Sequence, residues 1–223
     1  MDKKNTTLTV SYTEDKKIMV SICCITYNQE QYIAQTIESF LMQKVDFKYE
    51  ILINDDASTD RTADIIREYE KKYPDIIKPI YQSINQYSRG ITNPSGAFNY
   101  PRASGKYIAM CEGDDYWTDI YKLKKQVDFL ESHKNCSLCL HAAKTLVVDG
   151  SFTGSIIRPY NKSRFISTGE VIDKSSAYPT ASLMFRSCFA RHMPDYYTNC
   201  PVGDIPLQLH LASMGRVYYK YAP

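Results

Sequence analysis

Three carboxylates lie within four residues near the middle of the 223-residue chain, at Glu112, Asp114 and Asp115. They follow the apolar run 106–111 (KYIAMC), which predicts a strand, and Gly113 among them allows a tight turn. Carboxylates packed this closely raise one another's pKa unless a positive charge lies between them. Hard oxygen ligands favour Mg²⁺ or Mn²⁺, held by one or two carboxylates and the phosphates of a substrate. The alternative is an acidic turn in which Asp114 and Asp115 serve only the capping and dipole of the following helix.

Two earlier apolar runs, 19–26 and 50–53, are also followed by polar residues. These residues are Thr26, Tyr27 and Asn28 at the end of the first run, and Asp55 and Asp56 after the second. Ligands of open α/β sheets bind beyond the carboxyl ends of the strands, so we expect the three polar clusters to share one site. The chain has no GxGxxG or GxxxxGK[ST] loop, which argues against a dinucleotide cofactor and against a P-loop. Carboxylates suit a nucleobase imide, ribose hydroxyls and a metal-bridged diphosphate instead.

The first 135 residues alternate between strand and helix patterns. Their order, β-α-β-α-β-loop-α-β-α, predicts an α/β fold with a doubly wound parallel sheet. Strands are expected at 19–26, 50–53, 76–81 and 106–111. Helices are expected at 32–41, at about 97–103 and at 119–132. A further helix should run from an N-cap at Thr59 or Asp60 to Pro74, which closes it. Pro79 places the third strand near an edge of the sheet. The polar loop 83–96 is long enough to suggest a function.

The pattern changes from Ser137 onward. Strands are expected at 137–143, 145–148, 179–186 and 216–221, a turn at Asp149–Gly150, and a helix at 207–214 that is opened by 201–206. The span 151–178 shows little periodicity. We interpret this part of the chain as belonging to the same domain rather than as an independently folding unit.

The composition is that of a soluble globular protein, with 43% hydrophobic and 23% charged residues. A net charge of +2 gives no reason to expect a nucleic-acid partner. No apolar run reaches membrane-spanning length, and the start (MDKKNTTLTV) lacks the apolar core of a signal peptide. The seven cysteines are therefore expected to be reduced thiols in a cytoplasmic protein, with Cys136 and Cys139 in the core rather than in a zinc or redox site.

Three segments together resemble the family-2 glycosyltransferases of the GT-A fold. They are VSICCITYNQEQYIAQTIESFLMQ (20–43), YEILINDDASTDRTADIIREY (49–69) and ASGKYIAMCEGDDYW (103–117). The resemblance is strong over 18–135 and weaker from Val202 onward. It implies a Rossmann-like, mostly parallel central sheet flanked by helices, with a smaller acceptor-side subdomain. The chain would then comprise a polar arm (1–17), a nucleotide-sugar-binding half (18–135) and an acceptor-binding half (136–223). Whether the chain continues past Pro223 stays open.

The resemblance also implies roles for individual residues. Thr26, Tyr27 and Asn28 would line the base pocket, and either Asp55 or Asp56 would accept a hydrogen bond from the uracil N3–H. Glu112-Gly113-Asp114 falls where the family has Asp-x-Asp, with a glutamate in place of the usual first aspartate. This substitution leaves open which carboxylate contacts the metal and which contacts the ribose. We favour Asp114 and Asp115 near Mn²⁺ or Mg²⁺, with Arg89 offsetting the charge of the diphosphate and Trp117 packing beneath the site.

The family inverts configuration by direct displacement at the anomeric carbon, with a carboxylate taking the proton of the acceptor hydroxyl. Asp204, in VGDIPL, is the matching position; the alternative is that Asp204 only caps the helix that follows. Asp195 and Asp173 are weaker candidates for the base. His141 and His210 are expected to be packed or surface residues rather than metal or phosphate ligands.

The expected function is therefore metal-dependent, inverting transfer of a sugar from a nucleotide-sugar donor, with UDP favoured. The acceptor would be a hydroxyl of a glycan or a lipid-linked saccharide, in cell-surface polysaccharide synthesis. Peripheral association with the inner face of the membrane and the oligomeric state stay open. Two alternatives have different chemistry: a GT-A-like module that binds nucleotide sugar or glycan without turnover, and a nucleotidyltransferase. The latter would normally carry a glycine-rich loop where this chain has ITYNQEQY.

Overall fold

The computed structural model of the chain describes residues 17–147, 154–174, 177–191, 193–198 and 200–221. The polar arm predicted over 1–17, apart from its last residue, and the turn predicted at Asp149–Gly150 lie outside these residues.

Ten strands lie within the described residues. They are β1 (Ile18–Thr26), β2 (Lys48–Asp55), β3 (Ile77–Tyr81), β4 (Tyr107–Met110), β5 (Cys136–His141), β6 (Ala143–Lys144), β7 (Ile156–Ile157), β8 (Arg164–Ile166), β9 (Met184–Arg186) and β10 (Arg216–Lys220). Eight of them form one sheet in the order β3-β2-β1-β4-β9-β5-β10-β8, and β6 pairs with β7 separately. The prediction that Pro79 places β3 at an edge is confirmed.

The large sheet is mostly parallel. Strand β9 is antiparallel to its neighbours β4 and β5, and β8 is antiparallel to β10, while the other neighbouring pairs are parallel. The carboxyl ends of β1, β2, β4 and β5 therefore meet at one edge of the sheet. The predicted mixed α/β fold with a large, mostly parallel sheet is confirmed.

Helices cover the sheet on both faces. They are α1 (Ile33–Leu41), α2 (Thr62–Lys72), α3 (Lys122–Ser132), α4 (Thr168–Lys174), α5 (Asp195–Thr198) and α6 (Asp204–Met214). Successive strand residues point to opposite faces, so β1 contributes Ile22 and Cys24 to one core and Cys23 to the other. Helices α1, α2 and α3 pack on the first core, while α4 and α6 pack on the second. None of the helices among the described residues is both long and apolar enough to span a membrane.

Several predicted boundaries are wrong, each for a local reason. Helix α2 has Arg61 as its N-cap; Asp60 lies one residue earlier and accepts the N–H groups of Thr62 and Glu30. The helix expected at 97–103 is a π-helical turn (Ser95–Asn99) followed by a 3₁₀ turn (Tyr100–Arg102). The strand expected over 179–186 is shortened to β9 by a 3₁₀ turn at Thr180–Ser182.

The aperiodic span 151–178 contains elements that its sequence pattern does not reveal. Strand β8 has three residues and α4 buries only Val171, so neither is long enough for apolar residues to show a period. By contrast, Cys136 and Cys139 are buried in β5 as predicted, and all seven cysteines are free thiols.

Candidate active site

A cleft of about 760 Å³ opens at the carboxyl edge of the sheet. Six of the residues predicted from the sequence line it, namely Thr26, Tyr27, Asp56, Glu112, Asp114 and Asp204. The first five lie at or just after the carboxyl ends of β1, β2 and β4, whereas Asp204 begins α6 in the second half of the chain. The cleft therefore brings together carboxylates that are far apart in sequence.

The acidic turn after β4 is held by the backbone of Gly113. Its N–H donates to the carbonyl of Ile25 at 2.9 Å, and its carbonyl accepts the Thr36 hydroxyl at 2.8 Å. A Cβ at this position would lie 2.6 Å from Thr26 Oγ1 and still closer to Gln29 Oε1. Only glycine lets the turn approach the end of β1 this closely, and the approach places Glu112 and Asp114 beside Thr26.

Negative charge accumulates in this turn. Burial, together with the charges of Asp114, Asp115 and Asp204, raises the pKa of Glu112 to about 7. Burial also raises the pKa of Asp115, with Asp114 adding to the effect. A divalent cation would offset this repulsion, so the chemistry of the residues fits the metal that the sequence suggested.

The number of protein ligands for such a metal is small. Within the described part of the chain, no group of three or more His, Cys, Asp or Glu side chains is arranged to hold a metal ion. Asp114 lines the cleft, whereas Asp115 is not among the lining residues. The arrangement suits a cation held by one or two carboxylates together with the phosphates of a ligand, as is usual for Mg²⁺.

The structure separates Asp55 from Asp56, which the sequence left as alternatives. The Asp56 carboxylate lines the cleft and accepts the backbone N–H groups of Gln86 and Tyr87, at 2.7 and 3.1 Å. Asp55 accepts hydrogen bonds from the hydroxyl and N–H of Ser58 instead, and it does not line the cleft. Of the two carboxylates, Asp56 is therefore the one at the lining of the cleft.

Two other predicted site residues lie away from the cleft lining. Asn28 has a left-handed backbone (φ 51°), and its side-chain oxygen accepts the N–H of Thr59 at 2.8 Å. It ties the loop after β1 to the loop after β2 instead of facing a ligand. Arg89 is exposed at the end of a 3₁₀ turn whose first two residues, Tyr87 and Ser88, do line the cleft.

Trp117 packs beneath the acidic turn, as expected. Its indole N–H donates to the carbonyl of Ala181 at 2.8 Å, and its ring lies 4.8 Å from that of Phe40. The buried Lys122 Nζ lies 3.7 Å from the indole centroid, and no hydrogen-bond partner for it occurs among the described residues. Burial lowers the pKa of Lys122 to about 7.

Asp204 is the first residue of α6, and the N-cap is Gly203. Among the residues that the structure describes, no side-chain capping hydrogen bond occurs at this helix end. The carboxylate lines the cleft, close enough to Glu112 for its charge to raise the pKa of that residue. Asp204 therefore lies at the cleft as the first residue of the helix and does not occupy the N-cap position.

The remaining candidates for base or ligand lie elsewhere. Asp173 is exposed on α4, and the side chain of Asp195 is outside the described residues. His141 Nδ1 lies 2.7 Å from the Ala142 carbonyl oxygen, and His210 Nε2 lies 3.0 Å from that of Phe189. Burial lowers the pKa of His141 to about 4. Neither histidine lines the cleft, as expected.

Several lining residues were not assigned individually from the sequence. Those from the loop after β3 are Asn85, Tyr87, Ser88, Thr92, Asn93, Pro94 and Ser95. The length and polarity of this loop were the only available signal, and they marked the segment without distinguishing its members. Thr180, Pro201, Val202 and Gly203 contribute from the second half.

Comparison with known proteins places the chain among sugar-transferring enzymes. The family model described as glycosyl transferase family 2 matches residues 21–192. An uncharacterized protein of Mycobacterium bovis is 35% identical over 193 residues, covering 86% of this chain and 52% of that protein. The chain thus spans about half the length of this relative.

Two further proteins carry more specific names. The UDP-Glc:α-D-GlcNAc-diphosphoundecaprenol β-1,3-glucosyltransferase WfaP of Escherichia coli is 38% identical over 118 residues, covering 52% of this chain and 43% of that protein. The crystal structure of S. aureus TarS in complex with UDP has a TM-score of 0.64 at 21% identity, covering 92% of this chain and 61% of that chain. At that identity the likeness concerns the fold.

Proposed function

Because the chain belongs to glycosyl transferase family 2, we propose that it forms the catalytic domain of an enzyme that transfers a sugar from a nucleotide-sugar donor to a saccharide hydroxyl. The observation that carries the proposal is the shared cleft. Asp56 and Asp114 line it from the first half of the chain, and Asp204 lines it from the second. Such a site can hold a nucleotide and present a carboxylate to a second substrate.

The donor in this proposal is a UDP-sugar. A carboxylate at Asp56 accepts a hydrogen bond from the uracil N3–H, whereas the lone pair at cytosine N3 would face it unpaired. The UDP complex of the S. aureus protein with the same fold supports this choice. Tyr27 and Tyr87 flank the cleft as exposed aromatic residues suited to packing against a base.

Asp114, together with Glu112, would hold a divalent cation, Mn²⁺ or Mg²⁺. When bound, the cation neutralises charge on the departing diphosphate. The raised pKa of Glu112 supports this assignment, because each contribution to it is burial or a neighbouring negative charge. Asp115, which does not line the cleft, is assigned a lesser part than the sequence suggested.

Asp204 would act as the general base. The acceptor oxygen attacks the anomeric carbon of the donor, the bond from that carbon to the diphosphate oxygen breaks, and the acceptor proton passes to Asp204. One displacement of this kind inverts the configuration at the anomeric carbon. The carboxylate suits this part because it faces the cleft without a capping hydrogen bond.

The acceptor class proposed is a glycan or lipid-linked saccharide of a cell-surface polysaccharide. Support comes from the name of the E. coli relative, whose acceptor is a diphosphoundecaprenol-linked sugar. Access to such an acceptor would bring the protein to the cytoplasmic face of the membrane.

The proposal is tested by incubating the protein with UDP-glucose, UDP-galactose and UDP-N-acetylglucosamine in the presence of Mn²⁺ and measuring UDP release. Diphospholipid-linked N-acetylglucosamine and free saccharides serve as acceptors. UDP release that depends on an acceptor is expected. A nucleotidyltransferase would instead consume a nucleoside triphosphate and release pyrophosphate, and a binding module would release neither product.

A further inference from the structure

The loop after β3 contacts the second half of the chain at three points, beside the cleft. The Thr92 hydroxyl donates to the carbonyl of Cys200 at 2.5 Å. The other two contacts involve glycines: Gly96 packs against the ring of Tyr197, and Gly203 packs against Asn93. The packing is close, because an added Cβ would lie 2.7 Å from the Tyr197 ring at Gly96 and 3.0 Å from Asn93 Oδ1 at Gly203. We call this set of contacts the seam.

Asn93 lies at the centre of the seam. Its side-chain oxygen accepts the N–H of Gly96 at 3.2 Å, which fixes the orientation of the carboxamide. The same carboxamide packs on Gly203, since a Cβ there would lie 3.1 Å from Asn93 Cγ. Gly203 is the residue directly before Asp204 and the N-cap of α6. One side chain therefore spans the distance between the loop and the start of α6.

The rest of the carboxamide is enclosed. Neither Asn93 Nδ2 nor the Tyr197 hydroxyl has a hydrogen-bond partner of good geometry among the described residues, although both atoms are buried. Burial raises the pKa of Tyr197, and the nearby Asn93 amide and Tyr100 hydroxyl partly oppose that rise. An asparagine that leaves a buried donor unpaired costs stability compared with an apolar residue of similar shape. The asparagine is therefore better explained by the shape of its side chain and by its position between the loop and Gly203 than by a gain in stability.

The loop is anchored at its other end as well. Asp56 accepts the N–H groups of Gln86 and Tyr87. The carboxylate that is proposed to bind the uracil therefore also holds the start of the loop. The loop thus runs from the donor end of the cleft to Gly203.

We propose that Asn93 is a positioning residue, whose carboxamide sets the backbone of Gly203 and thereby directs Asp204 into the cleft. The proposal rests on the proposed function, because it assigns Asn93 an effect exerted through the general base. It predicts that Asn93 affects turnover and not the affinity for nucleotide.

The experiment is a pair of substitutions across the contact. In Gly203→Ala, the new Cβ meets Asn93 Oδ1 and Cγ and must displace one side of the seam. In Asn93→Ala those atoms are absent, and the remaining Asn93 Cβ lies 3.6 Å from the position of the added methyl group, an ordinary contact distance. Each single variant is expected to lower kcat for UDP release by about tenfold, the usual cost of a misplaced catalytic group being of this order or larger. The double variant Asn93→Ala/Gly203→Ala should recover to within about threefold of wild type, since residues in contact are not additive.

Two controls accompany the pair. Gly169→Ala is a matched glycine substitution on α4, where an added Cβ meets nothing within 4 Å, and it should leave kcat unchanged. UDP affinity in the presence of Mn²⁺, measured by calorimetry, should stay within about twofold of wild type in all variants, because Asp56 and Tyr87, the residues proposed to contact the nucleobase, lie at the other end of the loop. A loss of UDP affinity equal to the loss of kcat would overturn the positioning role, as would losses that multiply in the double variant. Lower melting temperatures with unchanged kcat would also overturn it, because they would show a purely structural contact.

Asp204→Asn separates this proposal from the proposed function. In that background, Asn93→Ala should lower the residual kcat by less than about twofold, because its effect passes through Asp204. A further tenfold loss would overturn the positioning role while leaving the glycosyltransferase proposal intact. If Asp204→Asn itself turned over at the wild-type rate, the assignment of the base and the role of Asn93 would both be overturned.

Discussion

Two carboxylates, the buried Glu50 and the partly buried Glu112, lie in opposite surroundings. Glu50, in β2, accepts hydrogen bonds from the Ser21 hydroxyl, the Ser104 N–H and the Lys78 ammonium at 2.7 to 2.8 Å. Burial raises its pKa, but these hydrogen bonds outweigh the effect and the pKa is lowered overall. Glu112 is surrounded by further carboxylates, and burial and their charges raise its pKa to about 7.

The difference distinguishes a structural carboxylate from a ligand-binding one. A charge that serves the fold is satisfied by groups of the protein itself, as Glu50 is. A charge that serves a ligand is left for the ligand to satisfy, at a cost to the unliganded protein. Removing charge from the first kind should therefore lower stability, and removing it from the second should lower activity or binding.

The largest effect is expected from Asp204→Asn. Transfer to acceptor should fall by about 10²- to 10⁴-fold, the usual contribution of a positioned base. Melting temperature and UDP affinity should stay near wild type, because no side-chain capping bond is lost. Rates come from UDP release and stability from thermal denaturation. Early melting would instead make Asp204 a structural residue, and a wild-type rate would direct attention to Asp195.

Metal dependence gives the next largest effect. UDP should bind about 10- to 100-fold more tightly with Mn²⁺ than with a chelator present, corresponding to one or two charge-assisted contacts. Asp114→Asn should abolish most of this difference, since Asp114 lines the cleft. The neighbouring Asp115→Asn is the matched control and should retain it. Equal UDP affinity with and without Mn²⁺ by calorimetry would contradict the metal assignment.

Base recognition should show a smaller effect. UDP is expected to bind more tightly than CDP by about 1–3 kcal/mol, the cost of leaving a buried polar group unpaired. Asp56→Asn should remove this preference, because an amide can serve as donor or acceptor. Calorimetric titration with the two nucleotides gives both values. Comparable affinities for UDP and CDP in the wild-type protein would show that Asp56 does not contact the base.

The smallest effect concerns Glu50. Glu50→Gln should lower the free energy of unfolding at pH 7 by about 1–2 kcal/mol, because charge-assisted hydrogen bonds become neutral ones and Lys78 is partly exposed. A lowered folded-state pKa contributes stability above the unfolded pKa, and this stability is lost as the pH falls through the folded value. The free energy of unfolding, measured by urea denaturation, should therefore fall less between about pH 5 and pH 3 in the variant than in wild type. UDP affinity should be unchanged in this variant. If UDP affinity also fell, Glu50 would serve ligand binding as Glu112 does, and the distinction between the two carboxylates would be wrong.

The first half of the chain was predictable because its strands and helices are long enough to show a period. Strand β1 has nine residues and α1 buries Ile33, Ile37 and Phe40 at helical spacing. The short elements β8, α4 and β9 depend on tertiary contacts instead. For example, β9 is paired on both sides, by β4 and β5.

The site was predictable at the level of clusters and less so at the level of side chains. Polar residues at strand ends indicated the cleft, but Asp55 and Asp56 could be separated only by their hydrogen bonds to Ser58 and to the loop after β3. Asn93 could not be singled out, because its position depends on a contact with Gly203 more than 100 residues later in the chain.

The insertion of β9 between β4 and β5 has a consequence for how the chain folds during synthesis. Strand β4 is made at residues 107–110, but its partner is made only at residues 184–186. At about 5–20 residues per second, the free edge of β4 would wait roughly 4 to 15 s on the ribosome. An unpaired apolar edge can pair with another chain. Translation speed over the second half should therefore influence how much of this protein escapes aggregation, and the short, fully buried β4 limits the length of edge at risk.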